Sequence, residues 1–174
     1  MRSAITKSIA IVIIVIIIAA GLVAYYFLRP APGKNVIKVG AALSLTGEYG
    51  RTGEWYKLGY EYWVDEVNKK GGLLGKKVEL ILYDDQSDPT TAANLYEKLI
   101  TVDKVDLLLG PYSSAIVFAV SSVTEKYRMV MVEGGGNALK IFSRGYKYIF
   151  LTLPGLAENI TKGLWDWIDS LPED

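Results

Sequence analysis

VDLLLGPYSSAIVFAVSSVTEKYRMVMVEGGGN, residues 105–137, carries the pattern that decides the fold. Val105–Leu109 is a short apolar run that stops at Gly110-Pro111. Ser113 or Ser114 then caps a helix that runs through Ala119, Val120 and Val123 to about Lys126. Met129–Val132 is a second apolar run and ends at three successive glycines, Gly134 to Gly136. A buried parallel strand reads as such a short apolar run, and two of them joined by a helix form one crossover unit.

The same alternation extends outward in both directions. Upstream, Val36–Leu43 (VIKVGAAL) is a strand followed by the glycine-rich loop Ser44–Gly53. A helix follows to about Lys70, with Tyr56, Tyr60, Trp63, Val64 and Val67 on one face as candidate core. Gly71-Gly72 stops it. Lys77–Tyr83 is a second strand, and Asp88-Pro89 opens the next helix as cap and first residue. Downstream, Tyr148–Leu151 is a fifth strand and Leu156–Ile168 a last helix. The pattern predicts an α/β body, a doubly wound parallel sheet of Rossmann-like type. In such sheets ligands bind outside the carboxyl ends of the strands, near the point where strand order reverses. The loops to inspect are SLTGEYGRTG, GPYSS and EGGGN.

Within those loops, Tyr49, Thr52, Ser113, Ser114, Gly135 and Asn137 are the candidate ligand-binding residues. Ser113 and Ser114 can offer hydroxyls and backbone N–H groups at a helix start. The glycines after Val132 permit close backbone approach. The first loop lacks the G-x-G-x-x-G spacing of dinucleotide sites, because Tyr49 stands where a glycine is needed. Asp84, Asp85 and Asp88 supply too few oxygens for a hard cation. Asp88 reads as a helix cap and the other two as a solvated turn. Asn159-Ile160-Thr161 is a glycosylation sequon, usable only on an exported body.

Composition narrows the function. The 174 residues include no Cys and no His, which removes thiol, imidazole and Cys/His zinc chemistry. No enzyme, cofactor or metal is expected. The charge is 19 basic against 19 acidic, with no acid before residue 35. The body is therefore net acidic, a poor match for nucleic acid.

Ser8–Leu28 is uncharged and, as a helix, would be roughly 31 Å long, about one hydrocarbon core. It reads as a transmembrane helix. Its alternative is a cleaved signal peptide, with Ala19-Ala20-Gly21 as the processing site. Arg2, Lys7 and the terminal amine favour an N-in orientation with the body outside. The expected organisation is an anchor or signal segment at 1–28, a Pro/Gly linker at 29–35, and the body at 36–174.

Three stretches carry a family resemblance: IKVGAALSLTGEYGRTG, VDEVNKKGGLLGKKVELILYDDQSDPTTAA and LLLGPYSSAIVFAVSSVTEKYRMVMV. Together they resemble the first lobe of a leucine/isoleucine/valine-binding, type I periplasmic binding protein serving ABC transporters. The resemblance spans about Val36 to Ile168. Its most specific part runs from Asn68 to Pro89.

The resemblance implies a two-lobed clamshell that closes on an amino acid of the branched-chain type, or on a similar small polar solute. It implies an ABC permease as partner and an extracytoplasmic body. The family's serine pair falls on Ser113 and Ser114, its contacts after the fourth strand on Gly135 and Asn137, and its first-loop contact near Thr52. Asn137 departs from the usual Thr or Ser, and Glu133-Gly134 from the usual small polar residue and proline. Family members run to roughly twice this body, so the resemblance implies a fragment lacking the second lobe. The alternative function is the ligand-sensing extracellular domain of a membrane receptor.

Overall fold

The computed structural model describes residues 35–171, together with positions 17–19, 21 and 25, which are helical. The transmembrane reading of Ser8–Leu28 and the linker 29–35 lie outside the described residues, those few positions and Asn35 apart. Among the described residues no helix is long and apolar enough to cross a membrane.

From Asn35 onward the chain forms a unit of its own. The elements are β1 (Val36–Leu43), α1 (Gly50–Lys69), β2 (Lys77–Asp84), α2 (Pro89–Thr101), β3 (Leu107–Leu109) and α3 (Ser114–Tyr127). They continue with β4 (Met131–Glu133), α4 (Leu139–Phe142), β5 (Ile149–Leu151), a 3-10 turn (Ala157–Asn159) and α5 (Lys162–Asp169). The five strands form one parallel sheet in the order β2-β1-β3-β4-β5. The chain steps one way from β1 to β2 and the other way from β2 to β3. Right-handed crossovers therefore put α1 on one face and α2 and α3 on the other. The order reverses between β1 and β3, which places the switch point at the loops after those strands.

Local chemistry fixes the elements. Asp88 caps α2 by accepting from the Thr91 N–H at 2.6 Å, with Pro89 at the first helical position. Gly71 and Gly72 end α1 by returning their N–H groups to Asn68 and Val67. The Asn68 side chain both donates to the Val78 carbonyl and accepts from the Val78 N–H, stitching α1 to edge strand β2. Gly53 lets α1 lie against the end of β1, since a Cβ there would stand 1.9 Å from the Ser44 carbonyl oxygen. The core gathers Ala42, Leu108, Met131 and Ile149 from the sheet with Ala92, Tyr96, Leu99, Ile116, Val117 and Val120 from α2 and α3.

Four expectations are corrected. Trp63 is 37 % exposed and belongs to the surface rather than the core. The third strand starts at Leu107, because the Val105 N–H turns back to the Leu99 carbonyl at the end of α2. The fourth strand starts at Met131, because the Met129 N–H closes the end of α3 on Thr124. The expected single helix over 156–168 is a 3-10 turn followed by α5. The Ala157 N–H goes out to the Asn137 carbonyl instead of into a helix, and regular winding begins only after Thr161.

Candidate functional site

The first loop is held by the acids read as a solvated turn, and that reading is corrected for Asp84 and Asp85. Asp84 accepts from the N–H groups of Leu45, Thr46 and Gln86 and from the Thr46 hydroxyl. Partial burial opposes its ionisation, but these bonds win and hold its carboxyl below the ordinary value. Asp85 is fully buried and accepts from the Ser44 hydroxyl at 2.7 Å and the Ser87 N–H at 2.9 Å. Burial pushes its carboxyl up, against those two bonds. Ser87 in turn accepts from the Tyr49 N–H and donates to the Thr46 carbonyl. The three acids are structural ties, and Asp88 is the cap the sequence predicts.

The loops after β3 and β4 are bonded to each other. The Ser113 N–H donates to the Gly135 carbonyl at 3.2 Å. Ser113 also caps α3, accepting from the Ile116 N–H at 3.4 Å. Its φ of 78° is uncommon for a residue with a side chain and marks a tightly determined turn. The Ser114 hydroxyl accepts from the Ala138 N–H at 3.3 Å, leaving its own proton to donate. Gly135 fits because a Cβ there would meet the Pro111 carbonyl oxygen at 2.5 Å. Its N–H donates to Glu133 and its carbonyl accepts from Ser113, so both backbone polar groups are used internally. Asn137 donates from Nδ2 to the Gly155 carbonyl at 3.4 Å.

An aromatic wall stands beside these loops. Tyr49 meets Tyr112 edge-on at 5.4 Å between centroids, and Tyr112 meets Tyr56 at 5.6 Å. The Tyr56 hydroxyl donates to the Gly134 carbonyl at 2.7 Å. The structure thus brings Tyr49, Ser113, Ser114, Gly135 and Asn137 to one edge of the sheet. Thr52 sits half-buried in the first turn of α1, with no side-chain hydrogen bond to the others among the described residues.

Two residues escape the sequence reading. Tyr56 lies on the helix stripe and reads as core, yet its hydroxyl reaches the loop after β4. Glu133 follows an apolar strand and reads only as a departure from the family's usual small polar residue, yet its side chain is fully buried beneath that loop. For Tyr56 the available signal is an amphipathic side chain near the amino end of a helix that opens at the switch point.

The chemistry of this edge is hydrogen bonding and stacking. Hydroxyls, carbonyls and a carboxamide converge without a nucleophile–base pair, and among the described residues no cluster could hold a metal ion. Concavity lies to either side. A hollow of about 470 Å³, lined by Pro154, Gly155, Leu156, Asn159 and Ile160, adjoins Asn137. A hollow of about 350 Å³ lies on the sheet face between Tyr60, Trp63, Leu107, Leu109 and Val132. The second is almost wholly apolar and lies against the face of the sheet. It marks an uncovered sheet face rather than a place to orient a polar solute.

Comparison with known proteins agrees with this architecture. The periplasmic binding protein family model matches residues 36–168. The chain is 36 % identical over 135 residues to Leu/Ile/Val-binding protein homolog 8 of Brucella abortus (strain 2308), covering 78 % of this chain and 32 % of that protein. Two solved structures are similar. One is the branched-chain amino acid transporter substrate binding protein LivJ from Streptococcus pneumoniae in complex with isoleucine. It shares 27 % identity with a TM-score of 0.64, over 67 % of this chain and 33 % of that one. The other is a solute binding protein of an ABC transporter from Rhodopseudomonas palustris BisB5 in complex with 3,4-dihydroxybenzoic acid. It shares 26 % identity with a TM-score of 0.67, over 79 % and 37 %. The chain therefore spans about a third of the length of the relatives it matches, which run to about three times the matched length rather than the expected two. By the family match over most of its length and by its parallel five-stranded sheet, the chain belongs to the periplasmic binding protein family.

Proposed function

We propose that residues 36–171 form one wall of a solute-binding clamshell that delivers a small polar solute to an ABC permease. The observation that carries this reading is the bonded pair of loops after β3 and β4, with Ser114, Gly135 and Asn137 at one edge and Tyr49 and Tyr112 beside them. The solute is an amino acid of the branched-chain type or a molecule of similar size. Its polar head meets Ser114 and Asn137 while the tyrosine wall covers its apolar part. Thr52 and Tyr49 line the entrance and Ser113 positions the turn.

A single wall leaves the opposite side of the solute in water. Small-molecule sites bury most of their ligand, so a second lobe completes the functional unit. Ser8–Leu28 tethers the body to the membrane, with the body extracytoplasmic. The reading assigns no catalysis. Relatives carry names of binding proteins, which supports that assignment.

The test uses saturation-transfer NMR on the whole chain with isoleucine and, separately, 3,4-dihydroxybenzoate as probes. Binding of one of them in the millimolar range is expected. Losing one hydrogen bond to a charged group costs about 1.5–3 kcal/mol, roughly 10–150-fold in affinity. Ser114→Ala and Asn137→Ala should each lose binding on that scale. If both variants bind as the parent does, the site is elsewhere.

A further inference from the structure

Glu133 ends β4 with its side chain fully buried, directly beneath the loop that the proposed solute site uses. Its Oε1 accepts the N–H groups of both Gly135, at 2.6 Å, and Gly136. Its Oε2 has no hydrogen-bond partner among the described residues. There is room for that oxygen only because residue 110 is glycine, where a Cβ would stand 2.5 Å from it.

Successive glycine N–H groups at the carboxyl end of a strand make a cradle for an anion. Here the protein fills that cradle with a carboxylate of its own. The titratable groups facing Glu133 are Tyr56 and Tyr60 on α1 and Tyr96 on α2, and none of them neutralises it. No Lys or Arg pairs with it among the described residues. A second carboxylate arriving at the glycine loop would find both donors taken and, when Glu133 is ionised, a like charge below.

We propose that Glu133 is the specificity-determining residue of this wall. By occupying the Gly135 and Gly136 N–H groups it keeps a solute's carboxylate off the glycine loop, so the solute end held there is uncharged or cationic. The inference rests on the solute-site reading above and adds the polarity of one end of the site. A solute carboxylate, where there is one, is left to the Ser113–Ser114 side at the start of α3, where helix N–H groups favour negative charge. Glu133 does not touch the solute, so it is a positioning residue that acts through the two amides.

The test is residue-resolved NMR of the whole chain, 15N-labelled, with acetate as the anionic probe. In the parent, the Gly135 and Gly136 amide resonances should lie downfield and move together with pH around a midpoint near 7, where burial pushes this carboxyl. Acetate should leave them unmoved. In Glu133→Gln, which keeps the shape and the acceptor, the titration should vanish while the spectrum stays folded. In Glu133→Ala, acetate should move both amides back toward their parent positions by entering the vacated cradle.

Parent amides that respond to acetate overturn the proposal, as do amides that ignore both pH and the Gln variant. If Glu133→Ala does not fold, the parent and Gln spectra alone decide. Isoleucine and 3,4-dihydroxybenzoate, each added to the parent, check the site itself. Shifts at Ser114 and Asn137 from one of them support it. Their absence with both overturns the solute site and the specificity role with it, and that outcome is distinguishable because the amide titration does not depend on solute.

Discussion

Asn68 and Glu133 show how single side chains set this wall. Asn68 makes two hydrogen bonds to the backbone of Val78 and so fixes where edge strand β2 begins. At about 1 kcal/mol for each net bond, Asn68→Ala should lower stability by roughly 2 kcal/mol. Chemical denaturation with an unchanged slope is the check. Glu133 works in the other direction. Its carboxyl is pushed from 4.5 to about 7, chiefly by burial and against the bonds from Gly136, Gly135 and Gly134.

The native state therefore holds that proton where the unfolded state has released it. Stability should fall as pH rises from about 4.5 to 7, by roughly 3 kcal/mol at most. Glu133→Gln should flatten that stretch of the stability–pH curve, and an unchanged curve would contradict the burial argument. Both residues were visible in sequence only as types. Asn68 stands in a recognisable stretch, but its partner is set by strand register. Glu133 follows MVMV, where alternation of side chains decides between solvent and core, and three residues are too few to show it.

Elements were far more legible than partners. The cap at Asp88-Pro89, the stop at Gly71-Gly72 and the alternation of strand and helix all follow from local chemistry, and the structure has them. Asp88→Ala should cost about 1 kcal/mol through loss of the bond to the Thr91 N–H, measured as a lower midpoint of thermal unfolding. No change in midpoint would contradict the cap. Element ends were less legible because tertiary bonds decide them. Val105 and Met129 are apolar and read as strand, yet their N–H groups close the preceding helices on Leu99 and Thr124. The four-residue α4 has no periodicity to detect, and it is pinned by buried Ile141. Along α1, helical periodicity correctly grouped Tyr56, Tyr60 and Trp63. It could not show that the stripe overhangs the sheet, with Tyr56 reaching the site loop and Trp63 left 37 % exposed.

At the scale of the molecule, α1 is the helix on its face of the sheet among the described residues, and none of those residues covers β3, β4 and β5 on that side. Leu107, Val132 and Phe150 alternate outward there and are 40 %, 40 % and 52 % exposed. Both faces of a parallel sheet are normally covered. An uncovered apolar face of this kind drives association, so the chain should sediment as more than a monomer at micromolar concentration. Val132→Lys should shift it toward monomer, and a monomeric parent would contradict the argument.

The proposed tether is checked separately. The chain should stay with membranes through a carbonate wash, and its body should be open to protease added to intact cells. A body that washes off or stays protected contradicts the anchored, outward-facing arrangement.

The most direct test of the solute site is an amide-resolved titration of the whole chain with isoleucine and, in parallel, with 3,4-dihydroxybenzoate. Saturable, millimolar shifts from one of them are expected. These should cluster at Tyr49, Thr52, Ser113, Ser114, Gly135 and Asn137. Shifts confined to Trp63, Leu107 and Val132 on the uncovered sheet face, or no saturable shifts from either solute, would contradict it.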